Sequence, residues 1–193
     1  MVDRLQSFAR WEVIVPICYF LILLFEIEVI FPVENTLLAP YPYVASLVFL
    51  PHAVRVLGTV IVGPKIFFAL FPTILVSGYF LFDSYAGNAI HLLVLDAAIG
   101  AGCSPVAYLI VRWFNRNKRC FQLTLLNWRT VVLIGVIASV LNSTMRLVLL
   151  NDISQLHDVV HAITKVIVGD MVGLAIGLVV LVLVFRLARR RPI

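Results

Sequence analysis

Charge is what this chain has least of. Asp, Glu, Lys and Arg together supply 13% of its 193 residues, 62% are hydrophobic, and the mean hydropathy is +1.06. A soluble domain carries roughly a quarter charged and about half apolar residues. So little polar material excludes a water-soluble globule, which needs a charged coat. Cysteine is also sparse: Cys18, Cys103 and Cys120 follow no repeating spacing. Neither a disulfide framework nor a cysteine zinc site is expected from them; Cys18 and Cys103 fall in apolar runs and read as small packing residues. No heptad repeat, low-complexity tract or polar stretch long enough for a soluble domain interrupts the apolar pattern. Ser–His, Cys–His and metalloprotease spacings are missing too, so an enzyme is not the expectation.

What is present is a series of apolar runs of the length a bilayer demands, roughly 20 residues each. Six are expected to span: residues 11–31, 44–62, 66–82, 90–113, 128–150 and 160–187. The expected fold class is an all-α integral membrane protein, a single six-span helix bundle with interrupted or kinked helices. The first run is longer than the h-region of a signal peptide, about 7–15 residues, and reads as a retained span. Pro16, Pro72 and Pro105 are expected to kink their spans, and Pro51 to interrupt the second near mid-depth.

Basic residues fix the expected orientation. With the N-terminus cytoplasmic, every Lys and Arg except Arg55, Arg146 and Lys165 falls on the cytoplasmic side. The opposite links carry Glu34, Asp83, Asp152 and Asp158 and no Lys or Arg. This is the positive-inside distribution of a multi-pass protein with both termini cytoplasmic, in a bacterial inner membrane. The net charge of +5 therefore serves topology, and no nucleic-acid partner is expected. Trp11, Trp113 and Trp128 mark the inner interface; Tyr41, Tyr43, Tyr79 and Tyr85 mark the outer one.

The three remaining cations lie inside spans, with Glu26, Glu28, Asp96 and Asp170 as intramembrane acids and His52, His91 and His161 beside them. By position they form a layer from the outer surface to about the midplane. A charge at the bilayer centre costs about 2.5–3.5 kcal/mol on insertion scales, so these groups should face inward and compensate one another. Helical spacing puts His161 with Lys165, and Asn142 with Arg146, on shared faces. The candidate polar site is thus Glu26, Glu28, His52, Arg55, His91, Asp96, Asn142, Arg146, His161, Lys165 and Asp170. It is read as an outward-facing cavity for a small polar or charged ligand, with a purely structural ion-pair network as the alternative. His157, Asp158 and His161 could hold a metal, but spacing fixes no third ligand set, and no cofactor is named. Gly169, Gly173 and Gly177, and Ala97 with Ala101 beside Gly100 and Ser104, supply small faces for close packing, read as intramolecular in preference to a dimer face.

Two stretches carry a family resemblance. FLPHAVRVLGTVIVG (49–63) and VGDMVGLAIGLVVLV (168–182) resemble bacterial membrane-associated sensor (MASE) domains of the first type, through Pro51 and through Gly169, Asp170 and Gly173. Such domains feed a cytoplasmic kinase or cyclase. No such output follows RLARRRPI here, so the resemblance implies a standalone module signalling through a membrane or cytoplasmic partner protein. VGPKIFFALFPTIL (62–75) is similar in flavour to a turn of the substrate-binding S components of energy-coupling-factor transporters, which implies a vitamin-type transport subunit as the alternative.

The orientation has a direct readout. A green fluorescent protein fused to the C-terminus is expected to fluoresce, and a periplasm-dependent phosphatase fused there to stay inactive. The reverse pair of results overturns the positive-inside reading.

Overall fold

The apolar runs fold as helices in a computed structural model, which describes residues 2–37, 46–81, 90–115, 128–150 and 156–189. The helices are α1 (Val2–Phe25), α2 (Phe31–Leu37), α3 (Leu50–Val62), α4 (Phe67–Leu81), α5 (Ile90–Phe114), α6 (Trp128–Leu150) and α7 (Leu156–Arg189). A π-helical turn, Glu26–Ile30, joins α1 to α2, and a 3-10 turn, Pro64–Ile66, leads into α4. No strand occurs among the described residues. Five stretches are long and apolar enough to cross a membrane: Arg10–Leu37, Pro64–Leu81, Ile90–Phe114, Trp128–Val148 and Ile163–Val184. That is the make-up of a multi-pass membrane protein.

The second expected span differs. Its helix does not run through residues 44–62 with a break at Pro51; α3 has 13 residues and Pro51 stands in its first turn. Proline fits there because the first turn has no intrahelical partner for its missing N–H. At 1.5 Å per residue α3 reaches about 20 Å, short of a hydrocarbon core of about 30 Å. It is also the most enclosed helix. Val56 is fully buried, and Ala53, Leu57 and Val60 pack with Ala107 and Val111 of α5, Ile134 and Ala138 of α6, and Leu174 of α7. A second cluster joins Val15, Tyr19 and Leu23 of α1 to Leu70 and Ile74 of α4 and to Ala97 and Ala101 of α5. The other helices present Leu21, Phe68, Leu109, Val148 and Val182 outward, as a bilayer-facing coat requires. The short polar-rich helix is therefore kept from lipid by its neighbours.

Below α3 the chain turns at Gly63, whose φ of 92° is a conformation that favours glycine. Its N–H closes α3 on the Thr59 carbonyl at 2.8 Å. Above α3 the chain is non-helical over residues 46–49, with a bend at Leu47, and lies against α7. Phe49 N–H donates to the Gly169 carbonyl at 3.0 Å. A Cβ on Gly169 would overlap the Ser46 carbonyl oxygen, and one on Gly173 the Phe49 carbonyl oxygen. Gly177, one turn on, faces Ala53. The G-x-x-x-G series thus forms a groove for the chain's own residues 46–53, and two of its three glycines seat non-helical backbone.

α1, α4 and α5 continue through Pro16, Pro72 and Pro105. The first helix also carries a π turn, where Phe31 N–H reaches the Glu26 carbonyl. This turn re-phases the helix. In a regular α-helix Glu34 would sit about 80° round from Glu26; one inserted residue subtracts about 100°, which brings both carboxylates to nearly one face. The helix α7 is continuous from Leu156, so residues 156–165 form part of a long helix.

Gly173→Ala is expected to destabilise the protein by about 1–3 kcal/mol, the usual cost of overpacking against atoms that have nowhere to go. Gly102→Ala, where a Cβ would meet Phe67 at an ordinary 3.8 Å, is expected to change little. Thermal unfolding of both variants in detergent compares them, and equal effects would contradict the seating of backbone on Gly173.

Candidate functional site

The half-buried, non-helical segment 46–49 carries backbone N–H groups that no helical hydrogen bond satisfies. The structure meets this with carboxylates. Leu47 N–H donates to Glu34 Oε1 at 3.1 Å and Val48 N–H to the same oxygen at 3.2 Å. Leu50 N–H donates to Glu26 Oε2 at 3.3 Å. Ser46 Oγ lies 3.1 Å from Glu26 Oε1 and 3.0 Å from Glu34 Oε1 and ties the two acids together. With Phe49 on Gly169 and Pro51 lacking an N–H, each backbone donor from Leu47 to Pro51 is accounted for. Glu26 is fully buried and serves this end.

Deeper in the bundle, α3, α5, α6 and α7 bring a second set together. Arg55, 3% exposed, donates from Nη1 to the Gly100 carbonyl at 3.2 Å. Its Nη2 lies 3.4 Å from His52 Nδ1, and its Cζ stands 5.7 Å from the centroid of the Phe49 ring, a cation–π distance. His52 Nδ1 also lies 3.5 Å from Asp170 Oδ2, which accepts from Ser139 Oγ at 2.6 Å. His52 Nδ1 therefore faces a donor on one side and an acceptor on the other. As a bare nitrogen it receives an Arg55 N–H; carrying a proton it points to Asp170. Arg55, His52, Asp170 and Ser139 form one polar chain across three helices.

Arg146 and Asp96 make a separate pair across α6 and α5. Arg146 Nε is 2.8 Å from Asp96 Oδ1, with its N–H turned off the hydrogen-bond line, and Nη2 donates to Oδ2 at 2.9 Å. The Arg146 side chain is 41% exposed, so this pair is worth less than its geometry suggests.

Between the two sets lies a cavity of about 350 Å³. Asp170, Asn142, Asp96 and Arg146 line it from α5, α6 and α7, and Ser46 and Phe49 line it from the non-helical segment. Tyr19, Leu23 and Phe31 close the α1–α2 side. Asp170 and Asn142 are buried, and among the described residues neither Asp170 Oδ1 nor Asn142 Oδ1 meets a hydrogen-bond donor. Two buried acceptors beside a cavity are costly unless something donates to them, about 1–3 kcal/mol each.

The expected site residues thus divide. Asp96, Asn142, Arg146 and Asp170 border the cavity; His52 and Arg55 stand behind it, and Glu26 holds the segment that borders it. Glu28 and His91 are exposed on their helices and join neither set. Lys165 is half-buried on α7 and is not a lining residue. His161 belongs to α7 with its side chain outside the described ones, as are the side chains of His157 and Asp158. Among the described residues no group of three or more His, Cys, Asp and Glu could hold a metal. Sequence reasoning missed Glu34, which it assigned to an outer link, and Ser46, Ser139 and Tyr19, which carry no charge to draw attention.

Compared with family models, curated proteins and solved structures, the chain matches none of them.

Glu34→Ala is expected to cost about 1–3 kcal/mol by leaving the Leu47 N–H without an acceptor and Val48 N–H with Ser46 Oγ alone. Glu34→Gln, which keeps a carbonyl oxygen, should lose less, and Glu28→Ala very little. Hydrogen exchange over residues 46–50 checks this: faster exchange in Glu34→Ala but not in Glu28→Ala is the expected pattern.

Proposed function

We propose that this protein is a bacterial inner-membrane module that binds a small polar ligand in its intramembrane cavity and signals through a partner protein. The observation that carries the reading is the cavity itself, bordered by the buried acceptors of Asp170 and Asn142 and by the Asp96–Arg146 pair. A network serving helix order alone gains nothing from leaving such acceptors beside open volume. In the topology we propose, α3 with its non-helical lead-in is the sixth crossing, both termini are cytoplasmic, and the cavity opens outward. The positive-inside distribution of Lys and Arg supports that orientation.

The signalling half rests on the likeness of residues 49–63 and 168–182 to MASE-type sensor domains. Geometry lends it a physical route. Those two stretches touch each other at Gly169 and Gly173, and Phe49, which borders the cavity, also covers Arg55. A ligand that displaces Phe49 would disturb α3 and α7 together.

Native mass spectrometry of the gently solubilised full chain tests the ligand, and co-purification tests the partner. A retained small mass that is lost in Asn142→Leu, a change that removes the amide and narrows the cavity, is the expected result. A kinase or cyclase lacking its own sensor among the co-purified proteins supports the sensor; a coupling subunit with ATPases replaces it with the transporter component. No retained mass, with Asn142→Leu merely raising stability, overturns ligand binding.

A further inference from the structure

The cavity has a chemical preference that its lining residues state. Among the described residues, three buried atoms of the lining side chains make no hydrogen bond: the acceptors Oδ1 of Asp170, on a residue that is 0% exposed, and Oδ1 of Asn142, on one that is 2% exposed, and the donor Nε of Arg146, which still lies against Asp96. The lining donors with a partner are turned to carboxylates, while Arg55 Nε, behind the cavity, meets no acceptor among the described residues. Arg146 is turned to Asp96 through two nitrogens, and the single Ser46 hydroxyl proton is within reach of the Glu26 and Glu34 carboxylates and the Val48 carbonyl.

Charge points the same way. Two arginines, Arg55 and Arg146, line the cavity or contact a residue that does; against them stand four carboxyl groups, Glu26, Glu34, Asp96 and Asp170. Asp96 is neutralised by direct contact and Asp170 is not: its Oδ2 meets a histidine and a serine, and no Arg or Lys lies within ion-pairing distance of it among the described residues. An anion entering this cavity would meet an unneutralised carboxylate and an arginine already in use. A cation would gain a charge-assisted hydrogen bond to Asp170, about twice as strong as a neutral one.

The rest of the lining suits an organic cation more than a bare ion. Tyr19, Phe31 and Phe49 present aromatic rings, and Leu23, Ile74 and Val166 present aliphatic surface. Aromatic faces attract ammonium groups, and apolar walls reward an apolar body. A hydrated metal ion would gain from neither, and the volume, about 350 Å³, exceeds what one needs.

We infer that the cavity takes a small organic cation, an N–H-bearing ammonium with an apolar body, whose N–H groups reach Asp170 and Asn142. This rests on the ligand-binding reading above and narrows it. Arg55 fits as a positioning residue: held on the Gly100 carbonyl and the Phe49 ring, it stays off the acid that the ligand uses.

The full chain in detergent, titrated with butylammonium, butyrate and butanol and followed by calorimetry and thermal unfolding, tests the inference. Butylammonium is expected to bind saturably and raise the unfolding temperature, and the other two to do neither. Asp170→Asn, which keeps an oxygen for Ser139, should weaken butylammonium at least about tenfold, the loss of one charge-assisted contact. Should that variant fail to fold, Asn142→Leu, which replaces the amide by an apolar side chain of larger volume, is expected to abolish the same binding. Saturable butyrate binding that Asn142→Leu removes would overturn the ammonium and leave the ligand site standing. Butylammonium binding unaltered in folded Asp170→Asn or in Asn142→Leu would place it elsewhere and overturn the inference. Binding of none of the three, with no small mass retained by the native protein, overturns the site as well.

Discussion

Backbone that leaves the helix at membrane depth must find its hydrogen bonds inside the protein, and much of this structure follows from that demand. Residues 46–49 are non-helical and half-buried, and a backbone N–H buried without an acceptor would cost about 1–3 kcal/mol. Glu34 takes two of these donors, Gly169 one, and Glu26 the first N–H of α3. Pro51, next in line, has none to offer. Features that look unrelated in the sequence are parts of one solution. The glycines of α7 let the non-helical backbone close on the helix. The π turn swings Glu26 and Glu34 to a common side, and Ser46 bridges them.

Shortening α3 has consequences for chemistry. An uninterrupted helix over residues 44–62 would pack a ridge of side chains where the cavity now borders Ser46 and Phe49. The late start also sets His52 and Arg55 in the first turns of a helix enclosed on all sides. A lone Arg on a lipid-facing helix would be expelled toward water; here α1, α5, α6 and α7 hold it within reach of a carbonyl, an imidazole and an aromatic face. The acids divide the work by depth: Glu26 and Glu34 hold backbone, Asp96 holds Arg146, and Asp170 holds the imidazole and a serine.

Sequence reading reached the helical class, the apolar runs and most of the polar set, because hydropathy and the rarity of intramembrane charge are strong signals. It placed Asp170 beside Gly169 and Gly173 and read those glycines as a close-packing face. It did not see what they pack against, since a G-x-x-x-G step looks the same facing a helix or a non-helical segment. Pro51 was ambiguous for a similar reason: a proline within an apolar run reads as an interruption or as a first turn, depending on where the helix begins. Glu34 escaped because the π turn changes the phase of its helix, and no local sequence pattern announces an inserted residue. Glu28 and His91 show the opposite failure: near a span end, a charged or titratable side chain can reach the headgroup level and need not turn inward.

The arrangement of Arg55 bears most directly on function. A direct Arg55–Asp170 pair would be the cheaper way to bury both charges, since each would neutralise the other at contact. The protein instead interposes His52 and sends the guanidinium to Gly100 and Phe49. A group paired in that direct way would have little left to offer a ligand. Asp170, held through one oxygen by His52 and Ser139, has no donor on its second oxygen among the described residues, while its position is fixed by two helices. Polar groups that are restrained yet incompletely satisfied are expensive in a low-dielectric interior. Helix order alone does not require that expense, because a fully satisfied pair would fix the same helices. In the proposed function that expense has a use, since a ligand's donors would complete the hydrogen bonds that the protein leaves unmade.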